Sequence, residues 1–242
     1  MDGLRDKFAV VTGGSRGIGK CIARAFLKEG ARVAIAARDS RRLQETEKEL
    51  SEIGSVRAIE TDVSQEADVE RLFERAVGLW GSPDILVNNA GFTRQAPLHE
   101  MSVEDWDAVI ETNLRGAFLC TRAALRLMIP RKKGRIINIG SISASRVRPN
   151  SAPYSASKFG LVGLTHTTAL EGRPHGISCG ILHPGNVMTE RRATGARGQD
   201  SEPMIEGDEL ARAAVAMAAM PDHVNVLEAI VMPLGQLYVG RG

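Results

Sequence analysis

The chain has 242 residues and a mass of 26.1 kDa, enough for one large domain with a full apolar core and too short for two. A hydrophobic fraction of 43% beside 25% charged residues excludes a disordered or collagen-like chain. The formal net charge is +2 and no basic run exceeds Arg131–Lys133, which argues against nucleic acid as the main partner, because phosphate binding needs a concentrated basic stripe.

Strand and helix patterns alternate along the chain. Phe8–Val11 is a short apolar run stopped by a glycine cluster, and Cys21–Lys28 carries helical spacing. Val33–Ala37 predicts a strand, and Arg41–Ile53 a charged amphipathic helix with Leu43, Leu50 and Ile53 on its apolar side. Val56–Glu60 predicts a strand, Asp68–Leu79 a helix, and Asp84–Asn88 a strand behind a Gly-Ser-Pro turn. Val103–Met128 predicts one long helix, stopped by Pro130. Arg135–Gly140 reads as a buried strand, Tyr154–Leu170 as a helix, Ile177–Leu182 as a strand, Glu209–Ala219 as a helix and Val224–Val231 as a last strand.

Seven apolar strands, most of them separated by a helix, imply an α/β architecture: a doubly wound parallel sheet covered on both faces, forming a single domain over residues 1–242. Asn186–Asp208 lacks periodicity and predicts a substrate-binding loop. No apolar stretch approaches the roughly 20 residues that cross a bilayer, and the amino terminus shows no signal pattern. Cys21, Cys120 and Cys179 lie far apart with no CxxC pair, so a cytoplasmic protein with reduced thiols is expected. The five histidines show no metal spacing and no metal is expected; His183, just ahead of Pro184, is the one that falls near the expected pocket. Trp80 and Trp106 sit in helical segments and read as packing residues.

The first strand runs into Thr12-Gly13-Gly14-Ser15-Arg16-Gly17-Ile18-Gly19, and a helix follows. Glycines let the backbone approach a pyrophosphate, and free N–H groups at a helix start attract its charge. The spacing is GxxxGxG, not the commoner GxGxxG fingerprint. This motif resembles the short-chain dehydrogenase/reductase family, and further segments match that family in order. Asp62-Val63 matches its adenine-contacting pair, and Asn88-Asn89-Ala90-Gly91 its turn beside the adenine ribose. Pro184-Gly185, with Val187 and Thr189, matches the segment that grips the nicotinamide carboxamide. The resemblance is dense from Lys7 to about Thr189 and looser beyond. It implies a Rossmann fold holding a nicotinamide dinucleotide on these segments, with Gly13, Ser15, Arg16, Gly17, Ile18, Gly19, Asn89, Ala90 and Gly91 among the contacts.

Which dinucleotide is read at the end of the second strand. The family's usual acidic position falls on Ala37, and Arg38 follows, with Arg16 expected on the same side of the pocket. A small residue flanked by two guanidinium groups suits a 2′-phosphate, which favours NADP(H). NAD(H) stays open, because Asp39 with a one-residue shift suits an unphosphorylated ribose, and Arg38 has Asp39 and Asp62 as alternative ion-pair partners.

Tyr154-Ser155-Ala156-Ser157-Lys158 opens a helix, and residues four apart share one face. A nearby ammonium favours the ionised form of a phenol whose ordinary pKa is near 10, so Tyr154 becomes a candidate general acid/base. The resemblance extends here: Ser141, thirteen residues ahead of Tyr154, matches the family's catalytic serine, with Ser143 the next candidate. Asn113, mid-helix where asparagine is a poor helix former, matches the family's fourth catalytic position. The implied catalytic set is Asn113, Ser141, Tyr154 and Lys158, with Tyr154 and Lys158 also touching the cofactor. The implied activity is hydride transfer between NADP(H) and a carbonyl or secondary alcohol, in a homotetramer or homodimer.

Arg146, Arg148, Arg191, Arg192 and Arg197 crowd the segments that set substrate choice, and either bind a substrate anion or are solvated. The carboxyl-terminal segment Val224–Pro233 departs from the family's acyl-carrier reductases and more resembles members acting on small hydroxy acids, sugars or pterins, which counts against a 3-oxoacyl-thioester substrate but leaves it as an alternative. A non-catalytic nucleotide sensor is the alternative from a different class; it would have lost members of the catalytic set.

Overall fold

The computed structural model describes residues 3–189 and 202–237. The strands are β1 (Phe8–Thr12), β2 (Arg32–Ala37), β3 (Val56–Glu60), β4 (Ile85–Asn88), β5 (Gly134–Ile139), β6 (Ile177–Pro184), β7 (Val187–Met188), β8 (Ile205–Glu206) and β9 (Glu228–Val231). The helices are α1 (Gly17–Lys28), α2 (Ser40–Ser51), α3 (Glu66–Trp80), α4 (Val103–Ile110), α5 (Gly116–Met128), α6 (Ala152–Gly172) and α7 (Gly207–Ala218).

Seven strands form one parallel sheet in the order β3-β2-β1-β4-β5-β6-β9. The period-two alternation of β1 divides the core. Ala9 and Val11 face one layer with Ile22 and Phe26 of α1, Leu43 of α2 and Leu210 of α7. Phe8 and Val10 face the other, with Leu72 of α3 and Leu119 and Ala124 of α5. Trp80 closes the end of α3 edge-on against Phe8, at 5.2 Å between ring centroids, as the packing reading expects. Chain direction across the sheet reverses between β1 and β4, and such a reversal opens a crevice at the carboxyl ends of the strands.

Three predicted segments are corrected. The long helix over Val103–Met128 is interrupted by a π turn at Glu111–Arg115, because the side chain of Asn113 bonds outside the helix. The last strand is shorter than Val224–Val231. Before Glu228 the chain runs beside β6 held by side chains: Asn225 Nδ2 donates to the Cys179 carbonyl, and the Arg135 guanidinium takes the carbonyls of Val224, Met220 and Pro221. The described residues of the expected loop over Asn186–Asp208 carry regular structure: β7 pairs in parallel with β8, and α7 begins at Gly207, where Glu206 and Glu209 cap it reciprocally. Arg191, Arg192 and Arg197 lie outside the described residues. Among the described residues no helix is long and apolar enough to cross a membrane.

Candidate active site

The crevice is lined by the turn between β1 and α1. Gly13 and Gly17 have φ of 65° and 53°, the left-handed region that glycine enters without strain. The turn is braced from β4. Thr12 Oγ1 accepts the backbone N–H groups of Asn89 and Ala90 at 3.0 and 3.1 Å. Asn89 Nδ2 in turn donates to the carbonyls of Thr12 and Gly13 at 3.0 and 3.2 Å. Gly19 is where α1 passes closest to this brace: a Cβ there would stand 2.4 Å from both Asn89 Nδ2 and the Gly13 oxygen. From α2, Thr46 Oγ1 donates to the Ser15 carbonyl at 2.9 Å. The result is a cleft of about 350 Å³ at the amino terminus of α1, where orphan N–H groups favour an anion.

This cleft gathers most of the expected cofactor residues: Gly13, Ser15, Arg16, Gly17 and Ile18 from the turn, Arg38 after β2, Asp62 and Val63 after β3, Asn89, Ala90 and Gly91 after β4, and Thr189. Thr189 lies over the turn, its methyl 3.6 Å from where a Gly17 Cβ would be. A dinucleotide fits this shape, since side chains at Gly13 or Gly19 would collide with backbone lining it. Sequence reasoning missed Thr61, Phe92, Thr112 and Arg42 on the same wall. Thr61 and Phe92 follow the carboxyl ends of β3 and β4, Arg42 is in the first turn of α2 and Thr112 is in the π turn, so their shared wall becomes readable only once strand order is known.

At the end of β2, Asp39 is engaged as the cap of α2: its carboxylate accepts the Arg42 N–H at 3.0 Å. Arg38 stands 3.8 Å from the Asp62 carboxylate with its side chain 61% exposed, too long and too open for a strong ion pair. Asp62 accepts from both the N–H and the hydroxyl of Ser64.

The second group of expected residues does not line the cleft. Tyr154 and Lys158 sit at the start of α6, Ser141 follows β5, and Pro184, Gly185 and Val187 end β6 and begin β7. All stand at the same carboxyl edge of the sheet. Lys158 is buried, with Nζ donating to the Ile139 carbonyl at 2.7 Å and lying 5.6 Å from the Tyr154 ring centroid, across the ring face. Asn113 joins the two groups. Its amide clasps the Phe92 backbone, accepting from N–H at 3.0 Å and donating to C=O at 2.9 Å, and reaches Ser157 Oγ on α6 at 3.2 Å. Ser157 Oγ in turn donates to the Tyr154 carbonyl at 2.7 Å. Ser141 Oγ accepts the Ser143 N–H at 3.1 Å in a short 3-10 turn.

Burial pushes the Lys158 amine down from near 10.5 to about 8. Between these values the unfolded chain binds more protons at this site than the folded one, so this site raises stability as pH rises from about 8 to 10.5. Across that range the stability of the wild-type protein relative to Lys158→Met should grow, as measured by denaturant melts. A difference that is flat with pH would show that the amine is not desolvated.

Two arginines among the described residues near this edge are in ion pairs. Arg148 pairs with Glu202 at 2.8 Å, which also accepts from Asn186 Nδ2 at 2.7 Å. Arg94 pairs with Asp105 at 2.9 Å and covers the Phe92 ring.

Comparison with known proteins follows the same lines. Residues 7–200 match the family described as short chain dehydrogenase. The chain is 34% identical over 234 residues to an uncharacterized oxidoreductase of Staphylococcus aureus, covering 97% of this chain and all of the relative. It is 37% identical over 216 residues to a 3-oxoacyl-(acyl-carrier-protein) reductase of Synechocystis, covering 88% and 85%. Two crystal structures are similar over nearly the whole chain. An Agrobacterium tumefaciens protein provisionally named a gluconate dehydrogenase superposes with a TM-score of 0.89 at 33% identity, covering 95% of this chain and 96% of that one. An alcohol dehydrogenase from the archaeon Thermococcus sibiricus, complexed with 5-hydroxy-NADP, gives 0.85 at 30% identity, covering 93% and 95%. By its parallel sheet, its glycine turn and its likeness to these proteins, the chain belongs to the short-chain dehydrogenase/reductase family of oxidoreductases.

Proposed function

We propose that this oxidoreductase is NADP(H)-dependent and interconverts a carbonyl and a secondary alcohol, with Tyr154 as general acid/base. The observation that carries the reading is the placement of a buried ammonium, Lys158 Nζ, 5.6 Å from the centre of the Tyr154 ring, at the sheet edge that also carries the glycine cleft.

A nicotinamide dinucleotide held on the glycine turn would supply the hydride to the carbonyl carbon, or accept it from the alcohol carbon. In reduction, Tyr154 Oη gives its proton to the substrate oxygen, and the Lys158 charge stabilises the phenolate left behind. Ser141 Oγ, already accepting from the Ser143 N–H, offers its own hydrogen to the same oxygen. Asn113 holds the Phe92 backbone and α6 in register. Oxidation runs these proton transfers backwards.

Arg16 of the glycine turn, with Arg38 and Arg42 after β2, lines the cleft and supports NADP(H), and the capping role of Asp39 weakens the case for a ribose-binding carboxylate. Arg38→Asp should raise KM for NADPH by about tenfold or more and lower that for NADH, since a single charge-assisted phosphate contact contributes on the order of 1.5–3 kcal/mol. Equal constants for both cofactors in the wild-type protein would defeat the NADP reading.

The deciding experiment is a panel of ketones, aldehydes, alcohols and 3-oxoacyl thioesters with both cofactors, followed by nicotinamide absorbance. Turnover of thioesters alone would move the assignment to that substrate class, and turnover of none would favour a nucleotide sensor. A homo-oligomer is part of the reading: Phe118 of α5 and Phe159 of α6 are 44% and 50% exposed, a surface that a second copy would cover. Light scattering should therefore report a dimer or tetramer.

A further inference from the structure

His183 is buried one residue before the end of β6. Its Nδ1 stands 3.2 Å from the backbone nitrogen of Ser141 and 2.9 Å from that residue's carbonyl oxygen. The ring occupies space that Gly140 leaves open: a Cβ at Gly140 would lie 2.5 Å from Nδ1 and 2.8 Å from Cε1. One ring atom thus addresses both polar groups of a single residue, and that residue carries the hydroxyl placed above beside the substrate oxygen.

We infer that His183 is a positioning residue for hydride transfer, holding Ser141 in the extended conformation (φ −171°, ψ 154°) from which its hydroxyl meets the substrate. The inference rests on the proposed catalytic role of Ser141. A ring nitrogen accepts only when it carries no proton, so a ring protonated on Nε2 takes the Ser141 N–H. Protonating Nδ1 turns it into a donor, which can serve only the Ser141 carbonyl and releases the N–H. Burial holds the imidazole below its ordinary value; the Ser141 carbonyl, which favours a proton on Nδ1, and Glu228 of β9 act upward, and Lys158 of α6 acts downward. The ring is therefore neutral near pH 7, and it is the Nε2-protonated tautomer of that neutral ring whose Nδ1 accepts the Ser141 N–H.

The test uses carbonyl reduction, in which Tyr154 works in its protonated form, so acidification does not remove the acid. A fall in kcat on the acid side of the ordinary histidine value, about 6.5, then reports His183. His183→Leu removes the contact. His183→Asn places an amide oxygen near the Nδ1 position with nothing to titrate, and His183→Gln places it one bond too far. The Leu and Gln variants should lose about tenfold or more in kcat with KM for NADPH within about twofold, because misplacing a transition-state donor affects the chemical step. Asn should return kcat to within about threefold and flatten the acid limb.

The inference is overturned if Gln restores activity as well as Asn, if Leu keeps the wild-type kcat, or if the acid limb persists in Asn. Should Leu fail to fold, the Asn and Gln pair decides, with NADPH titration confirming that each is native. Ser141→Ala is run alongside. Full activity in that variant would remove the catalytic reading of the serine itself, whereas an inactive Ser141→Ala beside a fully active His183→Gln removes only the role of His183.

Discussion

Tyr154→Phe should lower kcat by about 10³-fold, the range over which a positioned acid/base acts, while the dissociation constant for NADPH changes by less than about twofold. The substitution deletes one oxygen and keeps the ring that lies 5.6 Å from Lys158 Nζ. The cleft wall at the glycine turn does not include Tyr154, so the nucleotide contacts there should be untouched. Rates in both directions, with fluorescence titration of NADPH, separate the two quantities. A variant retaining more than about a tenth of wild-type turnover would remove Tyr154 from the chemistry, since no general-acid role is that weak.

Gly19→Ala should cost on the order of 1–3 kcal/mol of folding stability and weaken NADPH binding by about two orders of magnitude. The added methyl would stand 2.4 Å from both Asn89 Nδ2 and the Gly13 carbonyl, so either α1 shifts outward or the Asn89 side chain lets go of the turn. Both outcomes spoil the backbone cradle. Gly78→Ala is the control. It lies within α3, where a Cβ would meet nothing within 4 Å, and it should stabilise the protein by about 0.5–1 kcal/mol through helix propensity. Urea melts and NADPH titrations of the pair measure the contrast. Equal behaviour would mean that Gly19 is dispensable to the cradle.

Much of the site was legible because its signals are local. The glycine spacing after β1, Tyr154 and Lys158 one helical turn apart, and the alternation of apolar segments each need only short stretches of chain. The misreadings share a cause. Asn113 looked like a poor residue inside one helix; its amide instead bonds Phe92, 21 residues away, and the helix opens into a π turn to allow it. Asn225 and Arg135 take over carbonyls that a longer β9 would have left to its ladder, and neither shows in a strand pattern.

The sequence by itself determined the α/β class, the seven strands of the sheet, and the residue types at the cradle and around Tyr154, because periodicity and glycine chemistry are written along neighbouring residues. Tertiary structure alone decided that Asn89 braces the turn 76 residues upstream, that Asp39 on the cleft wall is also the cap of α2, and that His183 meets Ser141. Those contacts depend on strand order and side-chain direction, which arise only when distant segments are packed against one another.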